Sequence, residues 1–307
     1  MRNPCRNGGK CTRDGATAYS YKCQCAAGFS GTDCKDKENP CKNSGKFEKD
    51  EASGKDVCFC SSGFTGSLCE KKCKKVEKYF DVVFVVDGSG SLDPNAMSDR
   101  TCNDPNPHAF QQELEFVDDV IETLEIGTTK SRVAFIQFAT RTMKEISLVE
   151  SGKLGKAKLM SQVKQIQWSA GLAAAKCTNK KNVGFATATP AGMALAQTLF
   201  KTEGRMDDKN VVKMMFVVTD GTISGYLSKE NGRTGRNALE VAQDLNKMGV
   251  QTYSIGVSVG SGDKSAIKED LLKIAGGNEA HRFLVSNFDY LKKQVLGTIQ
   301  NALNCDV

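Results

Sequence analysis

An apolar strand, Val82 to Val86, runs straight into Asp87-Gly88-Ser89-Gly90-Ser91, which sets one carboxylate and two hydroxyls on a tight turn at the strand's C-terminal end. Two more oxygen donors stand downstream. Thr189 precedes Pro190 at the start of a predicted helix, and Asp220 ends a second apolar run, Met214 to Thr219. Donors that are all carboxylate or hydroxyl oxygen, with no thiolate or imidazole among them, suit a hard cation such as Mg²⁺ or Ca²⁺. Two carboxylates brought close together repel unless a divalent cation or a proton lies between them.

To bring these groups together, strands and helices must alternate as a parallel α/β sheet demands. Apolar strands are predicted at Phe80 to Val86, Val133 to Phe138, Val211 to Val218 and Val250 to Val257, with a shorter one near Phe283. Thr142 to Val149 is predicted as an edge partner in a hairpin. Helical periodicity fits Phe110 to Leu124, Leu154 to Gln167, Pro190 to Phe200, Arg236 to Lys247, Lys268 to Ala275 and Phe288 to Leu303. The fold class is α/β, a doubly wound, mostly parallel sheet. Ligands of such sheets bind beyond the carboxyl ends of the strands, where Asp87 and Asp220 both fall.

These residues carry a resemblance. From Tyr79 to about Leu303 the chain resembles a von Willebrand factor type A domain, the integrin I-domain class, with domain bounds expected at 79–304. The resemblance implies a metal-ion-dependent adhesion site built from Asp87, Ser89, Ser91, Thr189 and Asp220, in which the metal's open position takes an acidic group from a protein ligand. Thr187 competes with Thr189 in Ala186-Thr187-Ala188-Thr189-Pro190. Thr189 is preferred, because Thr189-Pro190-x-Gly192-x-Ala194-Leu195 fits the family spacing and Pro is favoured at the start of a helix. Two formal negative charges leave the ion electrophilic, which favours Mg²⁺ over a saturated Ca²⁺ cage, with Ca²⁺ or Mn²⁺ as alternatives.

The cysteines divide the 307 residues unevenly, since nine of the 13 lie before residue 70. Small disulfide-stapled modules therefore precede a conventional core, and that usage belongs to an oxidising, extracellular compartment. Cys23-x-Cys25-x-x-Gly28-Phe29-x-Gly31-x-x-Cys34 returns as Cys58-x-Cys60-x-x-Gly63-Phe64-x-Gly66-x-x-Cys69, a period of 35 residues, and each copy opens with a matching Asn-Pro-Cys. This resembles tandem EGF-like modules, expected at 1–35 and 36–70 with a linker at 71–78. The resemblance implies the pairs Cys5 with Cys23, Cys25 with Cys34, Cys41 with Cys58, and Cys60 with Cys69. Cys11 is left without its usual partner, and Phe47 stands at the corresponding offset in the second module. Calcium of the EGF type would have only Asp36 and Glu38 nearby, so rigid spacers are the expectation.

Cys73, Cys102, Cys177 and Cys305 remain and allow three pairings. Cys73 precedes the first strand and Cys305 follows the last helix, which puts both at the bottom of the sheet, whereas Cys102 and Cys177 fall in loops at the top. Cys73 with Cys305 and Cys102 with Cys177 are therefore expected, and a tether at Cys305 should restrain sliding of the last helix.

The net charge of +6 is interspersed, and nothing in it suggests nucleic acid. The apolar runs are strand-length, too short for a membrane span. No leader is visible at Met1, and the chain is expected to be a fragment or mature segment of a longer secreted or cell-surface protein. Lys71, Lys72, Lys74, Lys75 and Lys78 could meet sulfated glycans, though an exposed linker needs no such role. Lys229, Arg233 and Arg236 could line the metal face, but a solvated loop explains them as well. His108 and His281 lack catalytic neighbours, and Trp168 is expected to anchor a helix end. The expectation is an extracellular adhesion or matrix-binding protein, not an enzyme, that takes an exposed acidic residue of a protein ligand; a structural matrix, fibre or coat component is the alternative.

Overall fold

A computed structural model describes residues 3–15, 20–49, 55–61, 63–73, 78–92, 108–168, 187–220, 235–257 and 265–285. The chain forms two compact units, Met1–Asp50 with Gly54–Lys74, and Glu51–Ser53 with Lys75–Val307.

In the second unit six strands form one sheet: β1 (Tyr79–Asp87), β2 (Arg132–Phe138), β3 (Thr142–Ile146), β4 (Val211–Thr219), β5 (Val250–Val257) and β6 (Arg282–Val285). Their order is β3-β2-β1-β4-β5-β6, with only β3 antiparallel. The order reverses direction between β1 and β4, and in doubly wound sheets the crevice at such a reversal is where ligands sit. Six helices accompany the sheet among the described residues: α1 (His108–Thr123), α2 (Leu148–Leu154), α3 (Lys156–Lys164), α4 (Thr189–Glu203), α5 (Ala238–Lys247) and α6 (Ser265–Ile274).

β1 is buried from Phe80 onward, as a central strand covered on both faces must be. Its alternating side chains feed two cores. Val82, Phe84 and Val86 pack with Phe110, Phe116 and Val117 of α1 and Leu159 and Val163 of α3. Val83 and Val85 pack with Leu148 of α2, Met193 and Phe200 of α4, Val241 of α5 and Leu271 of α6. Phe84 stacks on Phe216 with ring centroids 5.5 Å apart, and Phe216 stacks on Tyr253 at 5.0 Å, so an aromatic row crosses three strands.

At the opposite end from the metal turn, Asp81 of β1 is fully buried between two arginines. It accepts from Arg132 Nε and Nη2, both at 3.0 Å, and from Arg205 Nη2 at 2.6 Å and the Arg205 backbone N–H at 2.8 Å. Burial pushes its carboxyl up, but the hydrogen bonds from Arg205 and Arg132 outweigh it and hold it below its ordinary range.

The predicted strands stand within a residue or two of those found. Two boundaries differ. The edge strand ends at Ile146 rather than Val149, because Ser147 opens α2 with a capping box to Glu150. The helix expected from Leu154 to Gln167 is the shorter α3, and Gly155 at φ 73° separates it from α2, a helix the sequence pattern did not predict. Phe288 to Leu303 lies outside the described residues, as do Cys102, Cys177 and Cys305. Cys73 is disulfide-bonded.

The first unit holds the two modules, each a stapled pair of short hairpins. The bridges are Cys5–Cys23, Cys25–Cys34, Cys41–Cys58 and Cys60–Cys69, as the resemblance implied. The repeat extends to hydrogen bonds: Asn7 Nδ2 donates to the Cys34 carbonyl at 2.8 Å, and Asn43 Nδ2 to that of Cys69 at 2.7 Å. Cys11 is free and exposed, and it lies opposite Cys23 just as Phe47 lies opposite Cys58. In modules with so little apolar core, four bridges at about 2–4 kcal/mol each carry much of the stability.

Candidate metal centre

The site begins where β1 ends. Asp87 is fully buried, and its carboxylate accepts from the Ser89 backbone N–H at 2.8 Å and from the Thr219 hydroxyl at 2.6 Å. The second bond joins neighbouring strands, because β1 and β4 run in register up to Val86 opposite Val218. From Ser89 the contacts continue outward. Ser89 Oγ and Ser91 Oγ are 2.9 Å apart, and Ser91 Oγ donates to Asp220 Oδ1 at 2.8 Å. Four of the five expected residues therefore form one hydrogen-bonded arc over the β1–β4 crevice.

Thr189, the fifth, is the first residue of α4. The Ala188 N–H donates to the Ala139 carbonyl at 2.9 Å, which ties the start of α4 to the end of β2. Behind it Gly192 lies so close to the sheet that a Cβ there would stand 2.7 Å from Val85 Cγ1. Thr189 is fully buried, yet its hydroxyl has no hydrogen-bond partner. Buried hydroxyls are rarely left so, and one that is calls for an explanation such as an ion. Thr187 is also buried.

The turn itself needs glycine. A Cβ on Gly88 would meet Gln137 Oε1 at 2.5 Å, and the Gly88 N–H donates to the Phe138 carbonyl at 2.6 Å, holding the turn against β2. Trp168 braces it from the other side, its indole N–H donating to the Ser89 carbonyl at 3.3 Å. Trp168 thus supports the metal turn itself, a role its sequence context did not reveal.

Electrostatically the arc is strained without a counterion. Burial, and then the charge of Asp220, push the Asp87 carboxyl up to about 7, and burial raises Asp220 as well. Among the described residues no basic side chain pairs with either. Oxygen donors alone, two carboxylates without a basic partner and an orphaned hydroxyl together fit a hard divalent cation. Among the described residues no three of His, Cys, Asp or Glu group closely enough to hold a metal.

The other expected residues fall elsewhere. Arg236 precedes α5 and binds it, donating to the Glu240 carbonyl at 2.8 Å and to Asp244 at 2.7 Å, so its charge is spent on that helix. His281 stacks on Tyr253 at 4.1 Å, and its Nδ1 lies 3.1 Å from the Thr252 carbonyl. His108 is exposed at the start of α1. Lys229 and Arg233 lie outside the described residues. One residue near the site was missed altogether: Glu113 of α1, fully buried, with neither oxygen hydrogen-bonded. Its signal was legible, since it shares the apolar stripe of Phe110, Leu114 and Val117.

Known proteins share this architecture. The collagen alpha-4(VI) chain of Mus musculus is 26% identical over 244 residues, a match covering 78% of this chain and 8% of the relative. The transmembrane cell adhesion receptor mua-3 of Caenorhabditis elegans is 24% identical over 259 residues, covering 80% and 6%. Matrilin-1 of Homo sapiens is 26% identical over 219 residues, covering 68% and 34%. The chain thus spans only a minor part of the curated relatives it matches. Among solved structures, proximal thread matrix protein 1 from the mussel byssus superposes with a TM-score of 0.53 at 22% identity, over 75% of this chain and 48% of that one. A second structure of that protein has a zinc-occupied MIDAS motif and superposes at 0.52 with 23% identity, over 74% and 46%. These likenesses establish the fold. An EGF-like domain model matches residues 2–33, and together with the four disulfides it marks an extracellular or cell-surface protein. With the strand order, the Asp87 turn and the β4 partner all in place, the von Willebrand factor type A domain model matches residues 81–296, and the chain belongs to that family.

Proposed function

We propose that the crevice between β1 and β4 holds a divalent cation on Asp87, Ser89, Ser91, Thr189 and Asp220, and that the chain uses it to bind an acidic side chain of a protein partner in the extracellular matrix or on a cell surface. The observation that carries this reading is the pairing of a buried carboxylate, Asp87, and a half-buried one, Asp220, neither with a basic partner among the described residues, with the orphaned Thr189 hydroxyl at the same end of the sheet. That hydroxyl also favours Thr189 over Thr187 as the ligand. The cation supplies a Lewis-acid position that attracts a carboxylate oxygen. Mg²⁺ suits the set best, because it binds through few carboxylates and keeps positions open to water or a partner; Ca²⁺ or Mn²⁺ could take its place.

The chain's own residues supply order. Asp87 is fixed by Ser89 and Thr219, Ser91 is fixed by Asp220, and the turn is clamped by Phe138 and Trp168. These contacts support a rigid binding constellation, and among the described residues no nucleophile paired with a general base is arranged around it. The von Willebrand domains of matrix and adhesion proteins support the same role, and the zinc-occupied motif of the mussel byssus protein supports a divalent ion in this fold.

The test is calorimetric titration of Mg²⁺ and Mn²⁺ into wild type and Asp220→Ala, followed by capture from matrix extracts in Mg²⁺ and in EDTA. Cation binding by wild type alone, with capture abolished by EDTA, is expected. No cation binding by the wild type would remove the site, and capture unchanged by EDTA would leave a metal-independent assembly role.

A further inference from the structure

Glu113 stands on the buried stripe of α1 between Phe110 and Leu114, and α1 packs on β1 and on the Gly90–Leu92 turn of the metal site. Neither of its oxygens has a hydrogen-bond partner. An unpaired carboxyl in such a place costs stability that an apolar side chain of the same size would not, so packing does not account for it. Its electrostatic neighbours are Asp87 and Asp220, and burial together with those two charges pushes its carboxyl well above the usual range. Three acidic groups thus converge behind one turn, and no basic side chain among the described residues answers them. The three do not group closely enough to hold a metal among themselves, so the donor arc proposed above is left without Glu113.

We propose that Glu113 is an outer carboxylate of the cation site, strengthening the hold on the cation through its charge without ligating it. This rests on the cation site proposed above. Its role is that of a positioning residue: the cation displaces the proton that burial favours on Glu113, and the field of the carboxylate then adds to that of Asp87 and Asp220 in a dry interior, where charges act over longer distances than in water. The cost of its burial is thereby offset when the cation is present.

The experiment compares wild type, Glu113→Gln, Glu113→Met and Asp220→Ala by calorimetric titration of Mg²⁺, by Mn²⁺ paramagnetic resonance and by thermal melting in EDTA. Glu113→Gln keeps the shape and removes the charge, and it is expected to bind either cation about tenfold or more weakly. Glu113→Met is expected to melt higher than wild type in EDTA and to gain less from added Mg²⁺. Affinity in Glu113→Gln within about twofold of wild type, with Asp220→Ala still abolishing binding, overturns this inference and leaves the cation site standing. A lower melting temperature for Glu113→Met in EDTA also overturns it, since it would reveal a structural role. Absence of cation binding in wild type removes the site and the inference together.

Discussion

Stability of the cation-free protein should fall as pH rises, with Asp87 a main source of the fall beside Asp220 and Glu113, whose carboxyls are raised as well. Its carboxyl moves from 3.8 to about 7 in the fold, with burial the larger cause and Asp220 the next. Between those two values the folded protein keeps a proton that the unfolded chain has released, so stability declines across the interval and levels off above it. At about 1.36 kcal/mol per unit, the decline is of order 4 kcal/mol. The measurement is urea unfolding in EDTA at steps from about pH 5 to about pH 8, on wild type and Asp87→Asn. The asparagine keeps an oxygen for the Ser89 N–H, and the Thr219 hydroxyl can turn from donor to acceptor. Subtracting the two curves removes groups they share, including His281, whose pKa is lowered by burial and which therefore costs stability as pH falls. Saturating Mg²⁺, at about a hundred times its dissociation constant, should return about 2.7 kcal/mol to wild type on the alkaline side and nothing to the variant. Parallel pH curves for the two proteins in EDTA, or equal stabilisation of both by Mg²⁺, would refute the reasoning.

Gly192→Ala would place a methyl 2.7 Å from Val85 Cγ1 and 3.2 Å from Phe138 Cβ, pushing α4 and Thr189 off the sheet. Overpacking of about 1–3 kcal/mol exceeds the helix-propensity gain of about 1, so urea unfolding should show a net loss and titration a weaker Mg²⁺ affinity; an unchanged affinity would separate Thr189 from the site. Asp81→Asn strips the counter-charge from Arg132 and Arg205, and unfolding should register about 3–5 kcal/mol of destabilisation, with Mg²⁺ affinity kept in the folded fraction. Because the carboxyl of Asp81 is held below its ordinary 3.8, its contribution is present above that value and fades only as pH falls below it.

Much of the fold was legible because the buried parallel strands are continuous apolar runs and the metal turn adjoins one of them. Asp87, Ser89, Ser91 and Asp220 stood out as candidates for the same reason, since Asp87 ends one such strand and the others follow one within a few residues. The module bridges followed from the resemblance to EGF-like modules that the repeated cysteines carry. What escaped notice depends on contacts between distant segments. Thr219 looks like one more strand residue until β1 and β4 pair, and only then does its hydroxyl meet Asp87. Trp168 reads as a helix end, yet its indole reaches the carbonyl of Ser89 across the fold. Gly155 fell inside the predicted helix; at φ 73° it instead stands between α2 and α3, whose buried residues join the cores on opposite faces of the sheet.

Asp81 and Asp87 share a strand and a face of it, and both are fully buried, so neither burial nor residue type separates a structural carboxylate from a binding one. Partners do. At the foot of β1, Arg132 and Arg205 converge on Asp81 and satisfy both of its oxygens, which lowers its pKa and makes the ion pair part of the fold. At the head, among the described residues only neutral donors reach Asp87, and the charge that acts on it is that of Asp220. The fold thus completes one carboxylate and leaves the other short of a positive charge. Replacing Asp81 should therefore damage the protein whether or not a cation is present, whereas replacing Asp87 should relieve the cation-free protein and silence only its binding. Opposite signs in the same EDTA unfolding experiment would distinguish an ion pair that stabilises the sheet from a vacancy in charge that a cation fills.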